Sequence, residues 1–165
     1  MSMNPITTEP LVSDDFPSLS FQVDQDICAI TARCVSSIIL MPDEVVHFPE
    51  APGYCLGVIQ LRGQVIPLMD MRTLFGLYPR DPGFGEDSGP QSLVIVIENE
   101  TTQMGLAVDA VHSVETIVPI DHSHSDSFFA QSQYVTGVGR SEKTGESLLI
   151  LNHAALLALC EGLSF

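Results

Sequence analysis

The stretch "YCLGVIQLRGQVIPLMDMRTLFGL", residues 54–77, decides how the chain is read. Two apolar runs flank Arg62 and Gly63, and each is too short for a typical helix and rich in residues that favour strands. The stretch therefore reads as a hairpin, with Cys55–Leu61 as one arm and 64–69 as the other. At the reversal, glycine supplies positive φ without steric cost. Pro67 removes a ladder donor, which predicts an edge strand or a bulge at that point. Both arms are apolar on both faces, as expected of a small barrel with one face inside and the other against a second layer. Asp70 is placed to cap a short helix over 71–75, and Gly76 to end it.

Upstream, residues 1–18 are polar and aperiodic and read as a flexible N-terminal tail. "FQVDQDICAI" (21–30) reads as two strand pieces around a turn at 24–26, and "CVSSIILM" (34–41) as a strand stopped by Pro42. Downstream, "PRDPGFGEDSGP" (79–90) is a Pro- and Gly-rich linker. The strand pattern then restarts in "SLVIVIE" (92–98), "QMGLAVDAVHSVETIVPI" (103–120) and "YVTGVGRSEKTGESLLILNHAALLALC" (134–160).

The restart repeats the first half. Tyr54-x-x-Gly57-Val58 recurs as Tyr134-x-x-Gly137-Val138. Gly63 is matched by Gly145, Asp70 by Asn152, Leu74 and Phe75 by Leu156 and Leu157, and Val35 by Val111. One long repeat predicts two similar all-β lobes, each built of strand, strand, hairpin and short helix. Lobes this small bury too little apolar surface to stand alone, so they should pack on each other. Residues 19–160 are expected to form one domain, with 161–165 as its C-terminal end.

The 165-residue chain has 45% hydrophobic and 16% charged residues, a composition that folds. Six basic against 21 acidic residues give a net charge of -15, and Lys143 is the single lysine. Such a field repels phosphate backbones and anionic lipid, which argues against nucleic-acid and membrane-surface binding. No apolar run approaches the roughly 20 residues that span a bilayer. "MSMNPITTEP" lacks the cationic and apolar regions of a signal peptide. Cys28, Cys34, Cys55 and Cys160 form no Cys-x-x-Cys pair and lie in apolar segments, as buried free thiols would.

"VDQDICAITARCVSSI", "APGYCLGVIQLRGQVIPLMDMRTLFGL", "LVIVI", "GLAVDAVHSV" and "YVTGVG...LLILNHAALL" follow, in order, a known pattern. The chain resembles the CheW family of bacterial chemotaxis coupling proteins over about residues 19–160. The most specific element is Gly57-Val58-Ile59-Gln60-Leu61-Arg62-Gly63 followed by Ile66-Pro67 and Asp70-Met71-Arg72. The resemblance implies two five-stranded, SH3-like β-barrels side by side and no catalytic activity or cofactor. It implies a cytoplasmic adaptor, recruited to membrane receptor arrays, that couples the tips of methyl-accepting chemoreceptors to a CheA-type histidine kinase. The kinase's regulatory domain would meet it barrel to barrel, and the receptor's helical hairpin would dock in the groove between the barrels. A type IV pilus or other non-flagellar chemosensory pathway is the alternative setting.

Matching positions assign the receptor-binding groove to Val35, Ser37, Gly57, Arg62, Val94, Gly105 and Val114. Two readings stand for Arg62: a cation at the groove rim, or a turn residue bonding nearby carbonyls. The valines are likewise either groove or barrel core. The chain departs from the family at Ser37, where glutamate is usual, and at Gln60, where asparagine is frequent.

A different class of reading rests on "DHSHSDS" (121–127). His122 and His124, with Asp121, Asp126 and His112, are weak candidates for a metal or ligand site, and the alternative is a solvated loop. Nucleophilic catalysis lacks a Gly-x-Ser-x-Gly elbow. "GFGEDSG" lacks the Gly-Lys-Ser/Thr end of a phosphate loop.

Overall fold

A computed structural model describes residues 17–77, 93–120 and 132–163. The expected tail, the linker and the 121–127 histidine loop fall outside these residues, apart from the ends of the first.

The elements follow in chain order: β1 (Ser18–Val23), β2 (Asp26–Thr31), β3 (Val35–Leu40), β4 (Cys55–Leu61), β5 (Gln64–Asp70) and α1 (Met71–Leu74). The second part holds β6 (Leu93–Glu98), β7 (Gln103–Val108), β8 (Ala110–Glu115), β9 (Ile117–Ile120), β10 (Val135–Ser141), β11 (Ser147–Leu151) and α2 (His153–Ala158). They make a five-stranded sheet, β3-β6-β7-β5-β4, and a six-stranded sheet, β8-β1-β2-β11-β10-β9.

The predicted hairpin is present and tight. Arg62 has φ 51° and Gly63 φ 80°, so both residues of the turn adopt the left-handed region. That is the two-residue turn whose twist matches the flanking strands. Asp70 caps α1, its carboxylate accepting from the Arg72 amide, and Gly76 at φ 80° ends the turn that follows. Pro67 departs from expectation, because β5 lies inside its sheet. Val58 exchanges backbone bonds with Val46, so its pair with Pro67 needs none on the β4 side. The parallel ladder to β7 begins one residue later, at Leu68, and the missing donor falls at its start.

The repeat holds at the level of backbone bonds. The Asp70 amide donates to the Tyr54 carbonyl at 2.8 Å, and the Asn152 amide to the Tyr134 carbonyl at 2.7 Å. Both hairpins shift register at matching places, between Cys55 and Gly57 and between Val135 and Gly137. Each sheet also contains one parallel pair, β5 with β7 and β11 with β2.

The lobes are not the two sequence halves. The first hairpin, β1 and β2, joins the second half's strands, and β9 adds a sixth strand where five were expected. The physical reason lies in which faces need cover. Along β6, Val94 and Val96 point into the first barrel, while Ile95 and Ile97 point into a core shared by both sheets. Along β5, Ile66 and Leu68 line the barrel and Met69 the shared core. In the other sheet, Ala29, Leu148 and Ile150 fill the second barrel, while Leu19, Phe21, Cys28, Ile30, Leu149 and Leu151 face the shared core. β1 and β2 supply much of that shared core, so this apolar hairpin seals the two lobes into one unit.

Candidate functional site

The β4–β5 tip presents Arg62 to solvent, held by a backbone in the left-handed region. Beside the same sheet's other edge runs β3, in which residues alternate between half-buried and exposed. Ile38 is 42% exposed and Leu40 60% exposed. β8 is the edge strand of the other sheet and repeats this design. Register skips one residue in both strands, between Val35 and Ser37 against β6 and between Val111 and Ser113 against β1. Ile38 and Val114 are therefore equivalent positions, and Val114 is 56% exposed. Large apolar side chains left in water on an edge strand make these strands candidate contact surfaces.

Of the seven positions assigned to a groove, Ser37, Gly105 and Gly57 lie on one register row across the five-stranded sheet, linked through Val96 and Leu68. Arg62 and Val114 are exposed, and Val35 is half-buried against the shared core. The Ser37 hydroxyl is buried and has no hydrogen-bond partner among the described residues. Its repeat counterpart, Ser113, donates to Glu115 at 2.9 Å. Gly57 is buried with φ 139° at the β4 register shift, under the 45–46 segment. For Val94 the burial favours the barrel-core reading over the groove, and Gly105 lies beside it. Val94 is fully buried in the first barrel, and a Cβ on Gly105 would meet its Cγ1 at 2.8 Å. These two residues shape the barrel wall from within.

Sequence reasoning missed Ile38 and Leu40 because "VSSIILM" reads as a uniformly apolar strand. It also missed two polar networks. In the first, the Arg72 Nε lies 3.1 Å from both Asp109 carboxylate oxygens, and Nη2 lies 3.6 Å from Asp24. In the second, Glu115 accepts from Ser20 at 2.7 Å, from Ser113 and from Ser141. Burial raises the Glu115 pKa, but the three hydroxyls and the nearby Lys143 charge outweigh it and hold the carboxyl below its ordinary value. The first barrel has Val96 and Ile39 where this network has Ser20 and Glu115, so only aligning the repeats would have exposed it.

The thiols are poor nucleophiles. Burial pushes Cys34 up to about 12 and Cys160 to about 11, and it raises Cys28 and Cys55 as well. Among the described residues no group of three or more His, Cys, Asp or Glu could hold a metal ion. No helix among them is long and apolar enough to cross a membrane. His112, a member of the expected metal set, contacts Gln22 at 2.9 Å, and its proposed companions lie outside the described residues.

The geometry defines a class of protein: two small β-barrels fused through one shared core, with apolar residues exposed on equivalent edge strands. The chain belongs to the CheW-like domain family, which matches residues 17–161. A 69-residue stretch is 38% identical to a probable chemotaxis protein CheW of Rhizobium etli, covering 42% of this chain and 41% of that protein. Over 138 residues it is 28% identical to chemotaxis protein CheV3 of Helicobacter pylori, covering 81% of this chain and 42% of that one. The matches span about two fifths of the length of these curated relatives. The fold is that of the scaffolding protein TtCheW from Thermoanaerobacter tengcongensis, with TM-score 0.64, 24% identity, and coverage of 83% of this chain and 88% of that one.

Proposed function

We propose that the chain is a non-enzymatic adaptor that couples chemoreceptor tips to a CheA-type histidine kinase. The observation that carries this reading is the pairing of Ile38 and Val114, equivalent edge-strand positions left exposed in a chain of the CheW-like family. Two like surfaces on one chain suit a protein that bridges partners. The exposed Arg62 supplies a cation for a polar contact at a helix end or an acidic side chain. The mechanism is geometric. Holding kinase and receptor in fixed relation lets the receptor's conformational state bias the kinase equilibrium, provided contacts differ between the two states. The adaptor acts in the cytoplasm, recruited to membrane receptor arrays. A pilus-linked or other non-flagellar pathway would use the same surfaces.

Isothermal titration with a purified kinase regulatory domain, and separately with a receptor-tip helical hairpin, tests the reading. Saturable binding of both supports it. Binding of neither overturns it.

A further inference from the structure

The Arg72 network joins the two sheets at the β7–β8 crossover. Arg72 belongs to α1, which continues β5 of the five-stranded sheet. Asp24 sits in the β1–β2 turn of the six-stranded sheet, at φ 55°. Asp109 is the single residue between β7 and β8, where the chain crosses from one sheet to the other. Its carboxylate is gripped from both directions: by Arg72 Nε at 3.1 Å, and by the Asp24 amide, which donates at 2.5 Å. The Asp109 amide in turn donates to the Gln22 carbonyl at 2.9 Å. The repeat places Asn152 opposite Asp70 as a helix cap, so the counterpart of Arg72 is Ala154, which carries no charge.

Magnitudes suggest what such a contact is for. The Arg72, Asp109 and Asp24 side chains are 25%, 14% and 40% exposed, so their ion pairs add little to stability. The shared core holds the sheets together through apolar contact, which is non-directional. The Arg72 guanidinium is directional: its Nε–H is shared between both Asp109 oxygens while Nη2 faces Asp24, so one planar group ties together points on both sheets.

We propose that Arg72, Asp109 and Asp24 form a latch at the β7–β8 crossover that sets the angle between the two barrels, and thereby tunes docking of a receptor tip. Arg72 is a positioning residue in this scheme. The docking part rests on the adaptor reading above.

The test uses the full chain with spin labels at Gln64→Cys and Ser147→Cys, exposed positions in different sheets, in a Cys160→Ser background. Distances between labels are measured by pulsed electron resonance in the parent, Arg72→Gln and Asp24→Asn. Affinity for a purified receptor-tip hairpin is measured alongside. Asp24→Asn keeps a residue that tolerates the left-handed turn, should Arg72→Gln fold poorly. The latch predicts a broadened or shifted distance distribution in the variants and an affinity lower by about fivefold or more. An unchanged distribution overturns it, and so does a changed distribution with unchanged affinity. A parent chain that binds no receptor tip defeats the adaptor reading instead, while the distances still judge the latch.

Discussion

The carbonyl oxygen of Val46 lies 2.5 Å from the point that a Cβ on Gly57 would occupy. Gly57 also has φ 139°, outside the range that residues with side chains adopt readily. The two facts have one cause. β4 shifts register at this residue while the 45–46 segment crosses above it and pairs through Val46 and Val58. Gly57→Ala should cost about 3 kcal/mol, from backbone strain and the displaced crossing segment. The repeat provides a control, because Gly137 has ordinary φ and open space around it. Gly137→Ala should change stability by less than about 1 kcal/mol. Urea unfolding of both variants measures the difference, and equal losses would refute the account of the crossing.

Arg62 should separate binding from folding. A non-glycine residue in the left-handed region carries a penalty of roughly 1 kcal/mol, and the extra freedom of glycine in the unfolded chain offsets a similar amount, so Arg62→Gly should leave hairpin stability nearly unchanged. If the guanidinium contacts a partner, the same variant should weaken receptor-tip binding, and Arg62→Glu should weaken it further. A fall in melting temperature in Arg62→Gly would instead make the side chain a structural member of the turn.

Ile38 and Leu40 make the complementary case. Ile38→Thr and Leu40→Thr keep a strand-compatible residue at exposed or partly exposed edge positions, so each should alter stability by less than about 1 kcal/mol. Loss of binding to the kinase domain or the receptor tip, with melting unchanged, is the expected result. Val94→Ala should do the reverse, lowering stability by about 2 kcal/mol because the residue lies wholly in the first barrel's core.

His153, the first residue of α2, gives a pH signature. Burial lowers its pKa from 6.5, so the folded state prefers the neutral ring. The unfolded chain takes up the proton first as pH falls below 6.5. This contribution to stability is present above that pH and is lost as pH falls through the lower, folded value. Melting temperature measured from pH 7.5 downward should fall less steeply in His153→Asn than in the parent. Identical slopes would remove His153 from the account.

The local elements were legible from sequence where chemistry is local. The Arg62-Gly63 reversal, the Asp70 cap and the Gly76 stop all depend on residues within a few positions of one another. The assignment of β1 and β2 to the second sheet was not legible. It is decided by the parallel pairing of Leu149 and Ile150 with Cys28 and Ala29, more than a hundred residues apart. Of the candidate positions, the exposure of Arg62 was legible from its turn, but Val94 and Gly105 share an apolar alternation with surface strands and show their burial only in three dimensions. Ile38 and Leu40 were hidden for the opposite reason, because a hydrophobic strand at a sheet edge looks like one at a sheet centre. Pro67 misled because a proline is excluded from a ladder only where its missing donor has a position to fill.

The central claim is that one chain holds two partners at once, and analytical ultracentrifugation tests it most directly. Purified chain, kinase regulatory domain and receptor-tip hairpin are mixed pairwise and together. The account predicts a species in the three-way mixture that is heavier than either pair and contains all three. Competition, with each partner displacing the other and no three-component species at any ratio, would contradict it.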